Sequence, residues 1–377
     1  MPTRGSTVIA GVGHTAFGKL PGRDTVSLNV EACAAAIADA GIDKEAIDGL
    51  FVKTPTSQRE LMVAQRLAEA LGMQPRWGVA LDQGGAANLT GIAMAAMAID
   101  AGHCEAALVC YADNPRSGSR AVYARPRGND ALHGWFSVAA GYAMIQQRHR
   151  IEHRTPDEAF GWIALAARRH GAANPNAQLR SPLTMDRYLA SPWLVEPMRR
   201  DDACLVSDGA AAVVVTSAAR ARALGLRAPV PILGFGQGQT SWDVQLRPTL
   251  TSTEARRAAH DAFEMAGLGP ADISVAQLYD CFTITVLMTL EDYGFCAPGR
   301  ALDVVADGAI ELGGRLPINT AGGLLSETGM PGLQLVIEGV RQMRGEAVSQ
   351  VRGADTCLVT NQGGTMHTHA ALVLGSH

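Results

Sequence analysis

Val8-Ile9-Ala10-Gly11-Val12-Gly13 is an apolar run closed by glycines, and Pro231-Ile232-Leu233-Gly234-Phe235-Gly236 repeats it more than two hundred residues later. Each reads as a buried strand. The neighbouring elements repeat as well. The helix-period segment Cys33-Ala34-Ala35-Ala36-Ile37-Ala38-Asp39-Ala40-Gly41 matches His260-Asp261-Ala262-Phe263-Glu264-Met265-Ala266-Gly267, each with a glycine where a helix ends in the left-handed conformation. Both continue through a short acidic turn into a strand, residues 47–52 and 273–278. An Ala/Met-rich helix ending at Gly102 then precedes the strand 106–110, as a helix ending at Gly345 precedes the strand 357–360. The chain is therefore expected to be α/β and doubled: residues 1–225 form one half, 226–377 the other, and a segment of about 112–200 is inserted into the first. A repeat this long cannot be a solenoid, so two βα layers packed face to face are predicted.

Length and composition agree. At 377 residues the chain exceeds one small domain, and 47% hydrophobic residues exclude disorder. Lys and Arg number 32 against 36 acidic residues, a net charge of −4, so no electrostatic footprint calls for nucleic acid or an anionic membrane. The seven cysteines are scattered and never spaced CxxC, which speaks against a disulfide framework or a structural zinc site. The N-terminus lacks a signal-peptide pattern and the apolar stretch 86–99 is too short to span a bilayer, so a cytoplasmic location is expected.

The repeat draws attention to two loops. Asp82-Gln83-Gly84-Gly85-Ala86-Ala87-Asn88 opens the long helix of the first half, and Ser326-Glu327-Thr328-Gly329-Met330-Pro331-Gly332 its counterpart. Free N–H groups and the dipole at a helix N-terminus stabilise developing negative charge; alternatively, the glycines only permit tight strand-to-helix turns.

Five segments resemble the thiolase superfamily, in its sterol-carrier-protein-type and lipid-transfer-protein branch. They are Ala173-Asn174-Pro175-Asn176-Ala177-Gln178, Cys204-Leu205-Val206-Ser207-Asp208-Gly209-Ala210-Ala211, Tyr279-Asp280-Cys281-Phe282-Thr283, Asn319-Thr320-Ala321-Gly322-Gly323 and Gly363-Gly364. The resemblance implies the five-layered αβαβα thiolase fold and a homodimer. It also shows what is missing. The family's nucleophilic cysteine falls at Gly85, its Gly-His-Pro histidine at Gly329, and its last catalytic cysteine in the stretch Thr360-Asn361-Gln362. No acyl-enzyme can form on a glycine. What remains is a site suited to holding a thioester oxygen as an enolate, with Gly85, Gly329, Gly363 and Gly364 as its lining and Ser326, Glu327 and Asn361 as supporting polar groups. Replacing Cys by Gly is also expected to open room for a bulky acyl group.

The Tyr279-Asp280 pair is similar to that of the lipid-transfer-protein aldolases of steroid side-chain degradation, which cleave a β-hydroxyacyl-CoA by a retro-aldol step. Tyr279 is the expected acid–base residue, provided that its surroundings lower its pKa, with Asp280 assisting from the opposite strand face. Those aldolases carry a second tyrosine at the position of Gly329. Coenzyme A would enter as part of the substrate, with no resident cofactor, and a small zinc-containing OB-fold protein is the partner the resemblance implies. The arginines Arg116, Arg120, Arg125 and Arg127 are candidate phosphate contacts. Competing readings are an inactive thiolase-fold scaffold, an acyl-CoA decarboxylase and a residual acyltransferase.

Three other signals read as structural. Gly11-Val12-Gly13-His14-Thr15-Ala16 matches a dinucleotide fingerprint, but Gly18, Pro21 and Gly22 delay the helix. His149 and His153 lie i,i+4 apart, and His367 and His369 share a strand face, with no carboxylate cluster near in sequence, so no metal is expected.

Overall fold

A computed structural model describes residues 3–58, 60–121, 123, 128–330 and 332–376. The first half runs β1 (Thr7–His14), α1 (Thr25–Ala40), β2 (Gly49–Lys53), α2 (Val63–Leu71), β3 (Trp77–Leu81), α3 (Ala87–Asp100) and β4 (Ala106–Asp113). The inserted segment comes next as α4 (Val138–His153), α5 (Asp157–Ala173), α6 (Met185–Leu189) and a two-stranded ribbon, β5 (Trp193–Val195) and β6 (Met198–Arg199). Then come β7 (Gly209–Ser217), α7 (Ala218–Ala223), β8 (Val230–Gln239), α8 (Ala255–Ala266), β9 (Val275–Gln277), α9 (Thr283–Asp292), α10 (Leu302–Val305), α11 (Gly323–Ser326), α12 (Leu333–Arg344), β10 (Thr356–Gly363) and β11 (Thr368–Gly375).

The strand order β3-β2-β4-β7-β1-β8-β11-β10-β9 is nearly palindromic in the repeat. Reading outward from the centre, β1-β7-β4-β2-β3 is matched by β8-β11-β10-β9, and a single bridge from Ala276 to Ile318 stands where the last strand of the second half would be. The two halves of the sheet pair through Val8↔Pro231 and Ile9↔Val230. Helices α3 and α12 each contact strands of both sheets, so they form the central layer, while α1 covers β1, β4 and β7 on one outside and α8 covers β8 and β11 on the other. That is the five-layered order. We propose the turn at Gly225, between α7 and β8, as the boundary of the halves.

The alternating glycines of β1 and β8 have a steric cause. A Cβ on Gly11 or Gly13 would overlap the backbone of Ala36, and on Gly234, Gly236 or Gly238 that of Ala262, Ala258 or Glu254. Every second residue in these parts of β1 and β8 therefore lacks a side chain so that α1 and α8 can lie directly on the sheet. The dinucleotide reading fails on the same geometry, because β1 continues through His14 and α1 begins only at Thr25, capped by Asp24, which accepts from the Ser27 N–H at 2.7 Å. Both helices end as expected, on Gly41 and Gly267 at φ of 64° and 62°.

Gly236→Ala is expected to lower stability by about 2 kcal/mol or more, read as a lower urea midpoint at unchanged slope. Gly78→Ala, where the nearest atom to the new methyl is Pro75 Cγ at 3.9 Å, is the control and changes the midpoint little.

Candidate active site

The loop before α3 and the loop after β10 meet with almost no side chains between them. A Cβ on Gly84 would stand 2.7 Å from Gly363 Cα and 2.9 Å from Gly364 N, and one on Gly363 would overlap the Gln83 carbonyl. Gly84 and Gly364 also hold φ of 58° and 65°, a region costly for any other residue. Thr368 Oγ1 donates to Gln83 O at 2.9 Å and Asn361 Nδ2 to Gly85 O at 3.1 Å, which fixes one loop on the other. Gly363, Gly364 and Asn361 thus stand beside Gly85, as expected of a shared site.

Tyr279 completes this cluster. A Cβ on Gly85 would lie 2.7 Å from Tyr279 Cζ and would overlap its hydroxyl. The space a residue-85 side chain would occupy is filled by the phenol. This corrects the expectation that a glycine there makes room for an acyl group; it makes room for Tyr279. The ring is 7% exposed, its N–H donates to Thr360 Oγ1 at 3.1 Å and its carbonyl accepts from Thr285 Oγ1 at 2.7 Å. Among the described residues nothing hydrogen-bonds the hydroxyl. Burial pushes the phenol well above its ordinary pKa, and nearby Cys281, Cys204, Tyr123 and Asp280 push in the same direction. Burial thus acts on the phenol in the direction opposite to the lowering that acid–base work at Tyr279 was expected to need.

A second tyrosine lies behind it. Tyr142 of α4 donates to Gly364 O at 2.6 Å, accepts from Gln362 Nε2 at 3.0 Å and packs on Phe282 with centroids 4.3 Å apart. The same Gln362 amide reaches Cys281 Sγ at 3.1 Å. Burial raises the Cys281 thiol to about 12, so it is no nucleophile, and Cys357 is a fully buried core residue of β10. Sequence reasoning missed Tyr142, which lies in the inserted segment with no motif around it.

Asp280, beyond the end of β9, turns its carboxylate to the next loop. It accepts from the N–H groups of Leu324 and Leu325 at 2.7 and 3.3 Å, so it caps α11 and holds the 319–323 turn. Asn319, at φ 49°, completes that turn by pairing both ways with Leu278, at 2.7 and 2.9 Å. Ser326 and Glu327 face elsewhere too: Ser326 lies against Gly171, and Glu327 Oε1 accepts from Asn174 Nδ2 at 3.0 Å.

Gly329 is held by the 204–211 motif. Its N–H donates to Ser207 Oγ at 3.0 Å, a Cβ there would overlap the Leu205 backbone, and α12 begins only after Gly332. Ser207 also accepts from Gln178 Nε2 at 2.6 Å, so the 173–178 and 204–211 motifs are held together by a hydroxyl. Of the arginines, Arg116 binds Gln178 Oε1 at 2.8 Å, while Arg125 and Arg127 lie outside the described residues. An open groove of about 620 Å³ runs along Arg150, Ile151 and Arg154 of the α4 end and includes none of the Tyr279 cluster. The absence of a carboxylate near His149 and His153 is a second correction, because folding brings Glu291 of α9 to 3.1 Å from His149 Nε2. His367 and His369 are held by Trp242 O at 2.5 Å and Met366 O at 3.2 Å.

Two buried carboxyls give a pH signature. Desolvation raises Asp280 to about 7 and, with Glu338 as a second cause, Glu327 to about 8, against 3.8 and 4.5 for the free groups. Between those limits the folded chain holds more protons than the unfolded one. The stability they contribute is complete below about pH 4 and is lost as pH rises towards 8. Among pH values that leave other groups unchanged, stability is expected to fall by more than about 1 kcal/mol between pH 5.5 and 8.5, and Glu327→Gln to flatten that slope. An unchanged slope in the variant contradicts the assignment.

Among the described residues no helix is long and apolar enough to cross a membrane. Residues 236–376 match the family model described as thiolase C-terminal domain-like. The chain is 39% identical to the 17-hydroxy-3-oxo-4-pregnene-20-carboxyl-CoA lyase of Mycobacterium tuberculosis, over 98% of this chain and 99% of that protein. It is 38% identical to the steroid side-chain-cleaving aldolase of Thermomonospora curvata, over 99% and 98%. The solved Ltp2-ChsH2(DUF35) aldolase superposes with a TM-score of 0.88 at 37% identity, covering 99% of this chain and 98% of that one. With its five layers, its glycine in place of the nucleophile and these full-length relatives, the chain belongs to the thiolase superfamily, in the branch of the steroid side-chain-cleaving aldolases.

Proposed function

We propose that this chain is a carbon–carbon lyase that cleaves a bulky β-hydroxyacyl-CoA, of steroid side-chain type, by a retro-aldol step. The observation that carries the reading is the Tyr279 phenol standing in the space of the absent residue-85 side chain, beside the N-terminus of α3. The β-hydroxyl loses its proton, the Cα–Cβ bond breaks, the β-carbon leaves as a carbonyl and the electron pair passes into the thioester as an enolate. Protonation at Cα then yields the shortened acyl-CoA. No net proton is taken up. A phenol whose anion is disfavoured by burial suits a relay, giving its proton to Cα while receiving the one from the β-hydroxyl, neutral before and after. The N-terminus of α3, beside the phenol, turns the positive end of its dipole to developing charge on the thioester oxygen. Gly85, Gly363 and Gly364 let that backbone come close.

An inactive scaffold is the weaker reading, since a scaffold has no use for a hydroxyl that no described residue hydrogen-bonds at the glycine loop. A decarboxylase needs the enolate site but no group to receive a β-hydroxyl proton. Coenzyme A enters with the substrate. The Ltp2-ChsH2(DUF35) aldolase supports a partner protein of the DUF35 kind for this chain, and the resemblance implies that it is small and has a zinc-containing OB-fold. A homodimer suits β3, an outermost strand of the sheet with Trp77 partly exposed.

Tyr279→Phe keeps the ring and deletes the hydroxyl. Cleavage of a steroid β-hydroxyacyl-CoA, with the partner present, is expected to fall by roughly a hundredfold or more with the melting temperature little changed. A variant that retains turnover refutes the assignment. Gly85→Ala, whose methyl collides with the phenol, is expected to lose activity comparably although it removes no polar group; full activity there would mean that Tyr279 works from another position.

A further inference from the structure

We propose that His149, His153 and Glu291 form a divalent transition-metal site, of the zinc class, that clamps α4 to α9. The inference is independent of the reaction at Tyr279. His149 and His153 lie one helical turn apart on α4, which places both imidazoles on one face, their centroids 4.7 Å apart. Glu291 arrives from the last turn of α9, and the three ligand atoms lie within 4.8 Å of one another. The His149 Nε2 to Glu291 Oε2 distance of 3.1 Å is already close to the edge of a tetrahedron with bonds of about 2.0–2.1 Å. His153 would have to approach by no more than about 1.5 Å.

Three further features point to a ligand. The first is His153 Nε2, which is buried and has no hydrogen-bond partner. Next, a cavity of about 150 Å³ lies between His149, His153, Thr155, Glu291 and Ala301, room enough for an ion and a water as fourth ligand. Gly299 keeps it open, since a Cβ there would stand 2.7 Å from His153 Nδ1. The third is Thr155 Oγ1, which bonds His149 Nδ1 at 2.7 Å and so fixes the ring with Nε2 towards the cavity, as partners of metal-bound imidazoles commonly do. Arg154 and Arg300 also border the cavity; Arg300 is neutralised by Asp303 at 2.6 Å. Two imidazoles and one carboxylate favour zinc over magnesium or calcium.

The place in the fold suggests what the ion does. Tyr142, two turns before His149, touches the glycine loop, and α9 starts at Thr283, just after the Tyr279 element. A clamp at the far ends of both helices holds the ends that carry the site.

The test is zinc titration of the chelator-stripped chain against a chromophoric competitor, with cobalt as a spectroscopic substitute. One zinc per chain, a melting temperature raised by several degrees, no response to magnesium at equal concentration and a cobalt spectrum of tetrahedral intensity are expected. His153→Ala, at a partly exposed position in the last turn, and the isosteric Glu291→Gln are each expected to weaken zinc at least about tenfold, while His260→Ala, in the exposed His260-Asp261-Glu264 group, leaves it unchanged. Circular dichroism of the zinc-free variants checks that they fold. Failure of the native chain to take up stoichiometric zinc, or equal uptake by folded His153→Ala and Glu291→Gln, overturns the proposal.

Discussion

The centre of this molecule rests on backbone touching backbone. Residues 83–85 and 362–364 come so close that glycine is the only residue several of these positions accept, by sterics at Gly85 and Gly363 and by both sterics and φ at Gly84 and Gly364. The same device operates at the periphery, where glycines alternate along β1 and β8 so that α1 and α8 can rest on the strands. Deleting side chains weakens packing in general, because dispersion contacts are lost. Here the opposing backbone takes up the space, and at Gly85 an aromatic ring does.

That substitution of ring for side chain governs the electrostatics. A phenol enclosed by the 85 loop, Cys281 and Cys204 is desolvated and stays protonated, and the thiols beside it are pushed up for the same reason. Asp280, the one carboxyl adjacent in sequence, turns its charge to the N–H groups of Leu324 and Leu325. In the proposed reaction the phenol acts as a neutral donor and the fixed dipole of α3 supplies the polarity.

The doubled fold was legible because β1 and β8 carry the same glycine alternation and α1 and α8 the same terminal glycine, features that short-range physics imposes wherever they occur. Tyr279 was legible as a departure from a motif. Its protonation was not, because burial depends on Gln362 and Tyr279 being brought to Gly85 from strands distant in sequence. Gly329 was placed by the family's pattern, and the contacts that hold it, the carbonyl of Leu205 and the hydroxyl of Ser207 that takes its N–H, come from a segment 122 residues away. Glu291 escaped notice beside His149 since 142 residues separate them, and Tyr142 because an inserted helix has no repeat partner to set it off.

Thiolytic cleavage and retro-aldol cleavage share their hardest demand, an acyl-CoA carbanion held as an enolate, and differ in what becomes of the other fragment. A β-ketone needs a nucleophile to attack its carbonyl before the carbon–carbon bond can break. A β-alcohol needs only to lose a proton, since its own oxygen supplies the electrons that become the new carbonyl. On the proposed mechanism, keeping the helix terminus while exchanging a thiol for a phenol turns one reaction into the other. The glycine at 85 fits that proposal: with a tyrosine entering from the opposite half, residue 85 can carry no side chain at all.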